Sequence, residues 1–285
     1  MLSITKKLTL LFSLVMIASG AADHNCAPSN LQTRGETERD RILEAARRFA
    51  EEYVSNLPNF VCTQVVKQFE AKRPNHWRKG DVLTTRLSFN NGREFRTLQL
   101  VNSKPPGERR IWRTPLITEG EFGILLANVL GSSSQAKFNW HGWEVLRGKK
   151  LAVLEYAIQR EHSTLRLALD NGASAVVAYE GVVYTDAENG SVYRITDRAV
   201  DIPRTVQTRS ISTTLDYERV PIGDRTYLLP IRATVLLTTY STTIRNDMDF
   251  TDYRKFTADS KITYSPTDGG HPSAEGPISS KSPPY

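Results

Sequence analysis

The side chains able to bind metals or carry out catalysis are few and far apart. The five histidines, His24, His76, His141, His162 and His271, share no motif, and the two cysteines, Cys26 and Cys62, cannot supply the four ligands of a structural zinc site. No metal or cofactor is expected. A nucleophile elbow needs Gly-x-Ser-x-Gly, and Gly172-Ala-Ser-Ala-Val176 lacks its second glycine. The run from Gly142 to Lys150 imitates a phosphate loop, but its glycines are one residue too far apart, and Lys150 stands where a hydroxyl should hold magnesium. It reads as a turn before a strand. Acid pairs such as Asp247 with Asp249, or Glu119 with Glu121, could be set against a glycosidic bond. On a strand, however, Asp247 and Asp249 share the face that is usually solvated. The residues point away from an enzyme and assign no catalytic group.

Aromatic and aliphatic side chains form the stronger pattern. Trp112, Phe122, Phe138, Trp140 and Trp143 gather in sequence around a short apolar segment that carries Phe122, Leu125, Leu126 and Val129 on one helical face. Apolar ligands take concave, mostly apolar sites. Trp112, Phe122, Leu125, Leu126, Val129, Phe138, Trp140 and Trp143 are therefore the candidate ligand groove, with the helix as its lid. The alternative is that the same rings form the seam where helix meets sheet, and fill the groove themselves.

These side chains need elements to position them. Residues 31–56 predict a long helix: Ile42, Ala46, Phe49, Tyr53 and Leu57 recur at three- and four-residue steps, Thr37 can cap it, and Pro58 ends it. Residues 118–130 predict the second helix, with Thr118 and Glu121 at capping-box spacing. Strands are expected over 60–70, 82–89, 93–101, 151–158, 165–169, 176–185, 191–197, 210–220, 226–238, 244–256 and 260–264. Asn90-Asn91-Gly92 tolerates the positive φ of a tight hairpin, and 186–190 is a second hairpin loop. Tyr227, Leu229, Ile231, Ala233, Val235 and Leu237 keep period two, the mark of a strand with one buried face. No βαβ alternation is present, which disfavours a doubly wound nucleotide-binding fold. The expected architecture is α+β and mostly β: one strongly curved antiparallel sheet, a half-open barrel, with the two helices on its concave face.

Composition bounds the setting. With 285 residues, 39% hydrophobic and 24% charged, the chain can bury a real core. Residues 1–22 read as a secretory signal: Lys6 and Lys7, then an apolar run over 8–18, then Ser19, Gly20, Ala21 and Ala22. The run is shorter than the ~20 residues of a membrane span, and no transmembrane span is expected after cleavage. Cleavage lowers the formal charge from +6 to +4, because it removes two lysines and no acid. The remaining charges are interspersed, as in Arg39-Asp40-Arg41, which argues against nucleic acid as a partner. Residues 23–264 form one β-rich domain, and the Ser/Pro/Gly-rich 265–285 a disordered tail. In an oxidising compartment Cys26 and Cys62 are expected to form a disulfide. Closing a loop of about 35 residues is worth on the order of 3–4 kcal/mol.

Four segments together carry a resemblance. They are Asn56-Leu-Pro-Asn-Phe-Val-Cys-Thr-Gln64, Gly120-Glu-Phe-Gly123, Gly181-Val-Val-Tyr-Thr-Asp186 with Gly190-Ser-Val-Tyr-Arg194, and Asp252-Tyr-Arg-Lys-Phe256. The set resembles exported bacterial proteins, and the helix-then-sheet order over 38–264 is distantly similar to the LolA/LolB/RseB group of periplasmic lipoprotein-binding folds. That resemblance implies a half-open antiparallel barrel, lidded by helices, holding acyl chains in an apolar groove. No ligand-binding residue of the group maps onto this sequence. The expectation is thus a non-enzymatic binding protein, periplasmic or secreted, whose partner is an apolar ligand, a lipid or lipoprotein acyl chain. The alternative is an envelope protein-interaction or sensing module with a self-filled groove, and a third reading is a hydrolase whose site is unrecognised.

Overall fold

Residues 30–73, 76–106, 122–168 and 174–256 are described in the computed structural model of the chain. Residues 1–22, Cys26, Trp112, Thr118, Glu119, Glu121, the strand expected over 260–264 and residues 265–285 lie outside them. The first helix, α1, is Asn30–Asn56. Three strands follow, β1 (Phe60–Ala71), β2 (Trp77–Asn90) and β3 (Arg93–Val101), then α2 (Ile124–Leu130). The remainder is β4 (Lys137–Leu146), β5 (Lys149–Ile158), β6 (Arg166–Ala168), β7 (Ser174–Val176), β8 (Ala178–Thr185), β9 (Val192–Val200), β10 (Thr208–Ile222), β11 (Arg225–Thr239) and β12 (Thr243–Lys255). The chain is mostly β, and ten strands form one antiparallel sheet in the order β3-β2-β1-β12-β11-β10-β9-β8-β5-β4, with β6 and β7 paired separately. No helix among the described residues is long and apolar enough to cross a membrane.

The chain divides into two compact units. The first takes in the described residues of Met1–Glu52 and Leu125–Thr214. Here α1 buries Ile42 and Ala46 of the expected stripe, with Ala45 and Ala50 beside them, while Phe49 is half-buried; Leu126, Val129, Leu151, Leu154 and Ile195 are buried in the same unit. Thr37 lies inside the helix rather than capping it. Beneath β6 and β7, Leu167, Val177, Ala199 and Val206 form a small separate cluster.

The second unit takes in the described residues of Tyr53–Ile124 and Leu215–Tyr285. Asn91 and Gly92 both have positive φ, 49° and 75°, and Asn90 pairs with Arg93. This is the expected two-residue hairpin. Pro230 stands in β11 without breaking the sheet, because pairing with β12 begins only at Arg232. The Pro230 carbonyl accepts the Tyr253 hydroxyl at 2.5 Å.

Several elements differ from expectation, β2 among them, which starts at Trp77 rather than at 82. The second helix, expected from 118, is Ile124–Leu130: Gly123 has φ +125°, which no helix accommodates, and a Cβ there would come within 2.4 Å of Val54, while 118–121 lie outside the described residues. The strand expected over 176–185 is interrupted at Val177, whose N–H donates to Leu165 O at 3.1 Å. Most consequentially, residues 137–146 form β4, a strand the sequence reading left out. Gly142, taken for part of a turn, lies inside it with φ +149°.

Candidate functional site

The strand β4 is built on an irregularity. Its pairing with β5 shifts between Trp140, opposite Leu154, and Gly142, opposite Val153, so His141 is an extra residue. A β-bulge moves every later side chain to the other face. Trp140 and Trp143, three apart, would otherwise point in opposite directions. The bulge places them on one face, with ring centroids 5.5 Å apart. Phe138, Trp140, Trp143 and Val145 face Tyr156, Leu154, Ala152 and Lys150 in turn, forming one apolar stripe along β4.

Helix α1 covers only part of that stripe. The Arg47 guanidinium lies 5.6 Å from the Phe138 ring centroid and that of Arg39 5.5 Å from Trp140. Arg39, Leu43 and Arg47 are spaced by four and share one helix face. The buried Nε of Arg47 finds no hydrogen-bond acceptor among the described residues. Between helix and strand runs a groove of about 370 Å³, lined by Arg39, Asp40, Leu43, Phe138, Asn139, Trp140 and Leu154. Phe138 and Trp140 are half-buried here, Trp143 is 43% exposed and Val145 71% exposed. The groove sets apolar side chains, Leu43, Phe138, Trp140 and Leu154, beside polar ones of both charges, Arg39, Asp40 and Asn139.

The other candidate residues are placed differently. Phe122 belongs to the second unit, is 1% exposed, and is ringed by Phe60, Phe89, Phe250 and Tyr253 with centroids 5.1–6.4 Å away. Its N–H donates to Glu94 Oε1 at 3.1 Å. Leu126 and Val129, in the first unit, are 0% exposed, and Leu125 is half-buried. Ser134 Oγ donates to Val129 O at 2.9 Å and Tyr179 Oη to Asn128 O at 3.3 Å, fastening the end of α2. Cys62 is buried in β1.

A second concavity is polar. It measures about 510 Å³, and its walls include Glu155, Glu180, Thr196, Asp197, Arg198 and Thr213. Burial pushes the Asp197 carboxyl up to about 6, against hydrogen bonds from the Thr213 hydroxyl and N–H that pull it down. Asp197 is half-buried at the wall of this concavity. Arg198 pairs with Glu180 and the Tyr156 hydroxyl donates to Thr196 O at 2.7 Å, so these groups hold one another. His141 is exposed between Glu155 (2.8 Å) and Glu144 (3.3 Å), and its hydrogen bond to Glu155 raises its pKa. Asp249, in the second unit, contacts Lys67 at 3.0 Å and Arg232 at 3.3 Å, and Asp247 contacts Arg245 at 3.3 Å. These acids serve as ion pairs on a wet sheet face.

No family model and no curated protein matches the chain. Among solved structures it is similar to a DUF1329 family protein from Desulfovibrio piger, at 12% identity over 79% of this chain and 94% of that one, with a TM-score of 0.38. It is similar to a LolA superfamily protein from Nitrosomonas europaea, at 12% identity over 79% and 97%, TM-score 0.30. An outer membrane lipoprotein-sorting protein domain from Vibrio parahaemolyticus aligns at 13% identity over 77% and 94%, TM-score 0.38. The likeness is distant and of fold alone.

Proposed function

We propose that this chain is an exported, non-enzymatic binding protein of the bacterial envelope, and that its apolar ligand, a lipid or lipoprotein acyl chain, lies in the groove between α1 and β4. The observation that carries this is the bulged aromatic stripe: Phe138 and Trp140 are left half-buried beside a groove of about 370 Å³, within the size range of small-ligand sites. Residues 1–22, read as an export signal, support the envelope setting. There Cys26 pairs with Cys62, and thiol titration of the unfolded, unreduced protein checks this by finding no free thiol. Organic extraction followed by mass spectrometry should recover an apolar molecule from the native protein. An apolar fluorescent probe should bind the stripped protein, and bind Trp140→Ala at least about tenfold more weakly, the loss expected for one large buried contact. Failure of both extraction and probe binding refutes the proposal.

A second reading has its own support. Phe122, Leu126 and Val129, expected to line the groove under the second helix, are 0–1% exposed. A protein-interaction or sensing module whose helix is packed on its own core would look like this. It predicts no recovered ligand and an unchanged fold after stripping.

A further inference from the structure

The same stripe continues past α1 to the tip of the β4–β5 hairpin. The turn there has two residues, Arg147 at φ 49° and Gly148 at φ 78°, closed by the Leu146–Lys149 pair. Such turns leave the strand ends close and their side chains projecting. Val145, 71% exposed, and Trp143, 43% exposed, stand on one face of this tip. Lys150, opposite Val145, puts its ammonium 4.9 Å from the Trp143 ring centroid, and Arg147 is exposed at the turn. The nearby acids are engaged by other groups. Asp186 is held by Lys149 at 2.6 Å, and Glu144 accepts the Tyr184 hydroxyl at 3.0 Å. Alternation puts Glu144 on the opposite face of β4 from Trp143 and Val145.

From this arrangement we infer that the hairpin tip docks on an anionic lipid surface. A tryptophan ring, an aliphatic side chain beyond it and flanking Lys and Arg is the set that suits a membrane–water interface. The ring sits at headgroup level, the aliphatic group enters the acyl boundary, and the cations meet lipid phosphates. The tip is braced at Arg147 by the Tyr193 carbonyl and at Lys149 by Asp186 and the Tyr193 hydroxyl, and its exposed apolar surface is two side chains, Trp143 and Val145, far short of the ~800 Å² per partner of a stable protein interface. A lipid surface, unlike a protein, deforms around such a point. The inference uses the tip and not the groove, so it stands whether or not the groove holds a ligand.

Flotation of the purified chain with vesicles of phosphatidylcholine, or of phosphatidylcholine with phosphatidylglycerol, tests it. Binding is expected to the anionic vesicles, to fall as salt rises, and to come with a blue shift of tryptophan emission that Trp143→Phe removes. Val145→Asp, and separately Arg147→Glu with Lys150→Glu, should lower partition on the order of tenfold. Phe95→Asp, at another exposed ring, 53% exposed, should not. Circular dichroism confirms that each variant is folded. Equal binding to both vesicle types, or binding that survives the tip variants, overturns the inference. So does a folded chain that ignores both vesicle types, which would leave the tip to a protein partner.

Discussion

Asp197 gives the sharpest quantitative expectation. Its carboxyl moves from 3.8 to about 6 on folding because burial outweighs the bonds from Thr213. At roughly 1.4 kcal/mol per pH unit, the ionised form costs the folded protein about 3 kcal/mol at neutral pH. The sign follows from proton counting. Between the two values the folded protein holds a proton that the unfolded chain has released, so stability falls as pH rises from about 4 to about 6 and stays lower above that. Asp197→Asn removes the charge and keeps an oxygen to accept from Thr213. The variant should match the parent near pH 4 and exceed it by about 3 kcal/mol near pH 7.5. Urea denaturation of both proteins at the two pH values measures this, and every other titrating group cancels in the comparison. A variant no more stable than the parent at neutral pH, relative to the acid value, would refute the desolvation argument.

Three further expectations rest on packing and pairing. Gly190 has φ +71°, and a Cβ there would lie 2.0 Å from Ala45 O, so Gly190→Ala should cost at least about 3 kcal/mol. Gly223→Ala, with φ +60° and open space around it, should cost about 1 kcal/mol, and thermal melting distinguishes the two. Phe122→Ala should lose about 3–5 kcal/mol in chemical denaturation, whereas Ile124→Ala, 56% exposed, should lose less than about 0.5. For Asp249, burial raises the pKa but Lys67 and Arg232 more than offset it, leaving the carboxyl below its usual value. Its stabilisation is present above the unfolded value and lost as pH falls through the folded one. Lys67→Met should shrink that acid-side loss in denaturation midpoints followed from neutral to acidic pH.

Much of the fold was legible because each signal was local. The helix α1, the Asn91-Gly92 turn and the strand β11 each need only neighbouring residues to be read, and each forms, although Leu228 and Pro230 are buried on the face of β11 expected to be polar and Phe49 of the α1 stripe is only half-buried. The misplaced boundaries have a tertiary cause. Residues 118–123 satisfied a helical pattern, but Gly123 has φ +125°, and the approach of Val54, some seventy residues earlier, leaves no room for a side chain there. No pattern within the segment records that approach.

The groove shows the same division more sharply. Phe138, Trp140 and Trp143 were recognisable as binding candidates from residue type, but their spacing of two and then three satisfies neither a strand nor a helix. Read as an ordinary strand, they would face both sides of the sheet, and no stripe would exist. The bulge at His141 resolves the mismatch, and Gly142 at φ +149° marks it as the one position where the backbone departs from a regular strand. A glycine inside an aromatic-rich run, next to a change of period from two to three, was thus the available signal for both strand and bulge. Phe122 could not be sorted by such means. Its apolar spacing was the same whether it faced a ligand or a core, and what decides for the core is the enclosure by Phe60, Phe89, Phe250 and Tyr253 from three distant strands, β1, β2 and β12.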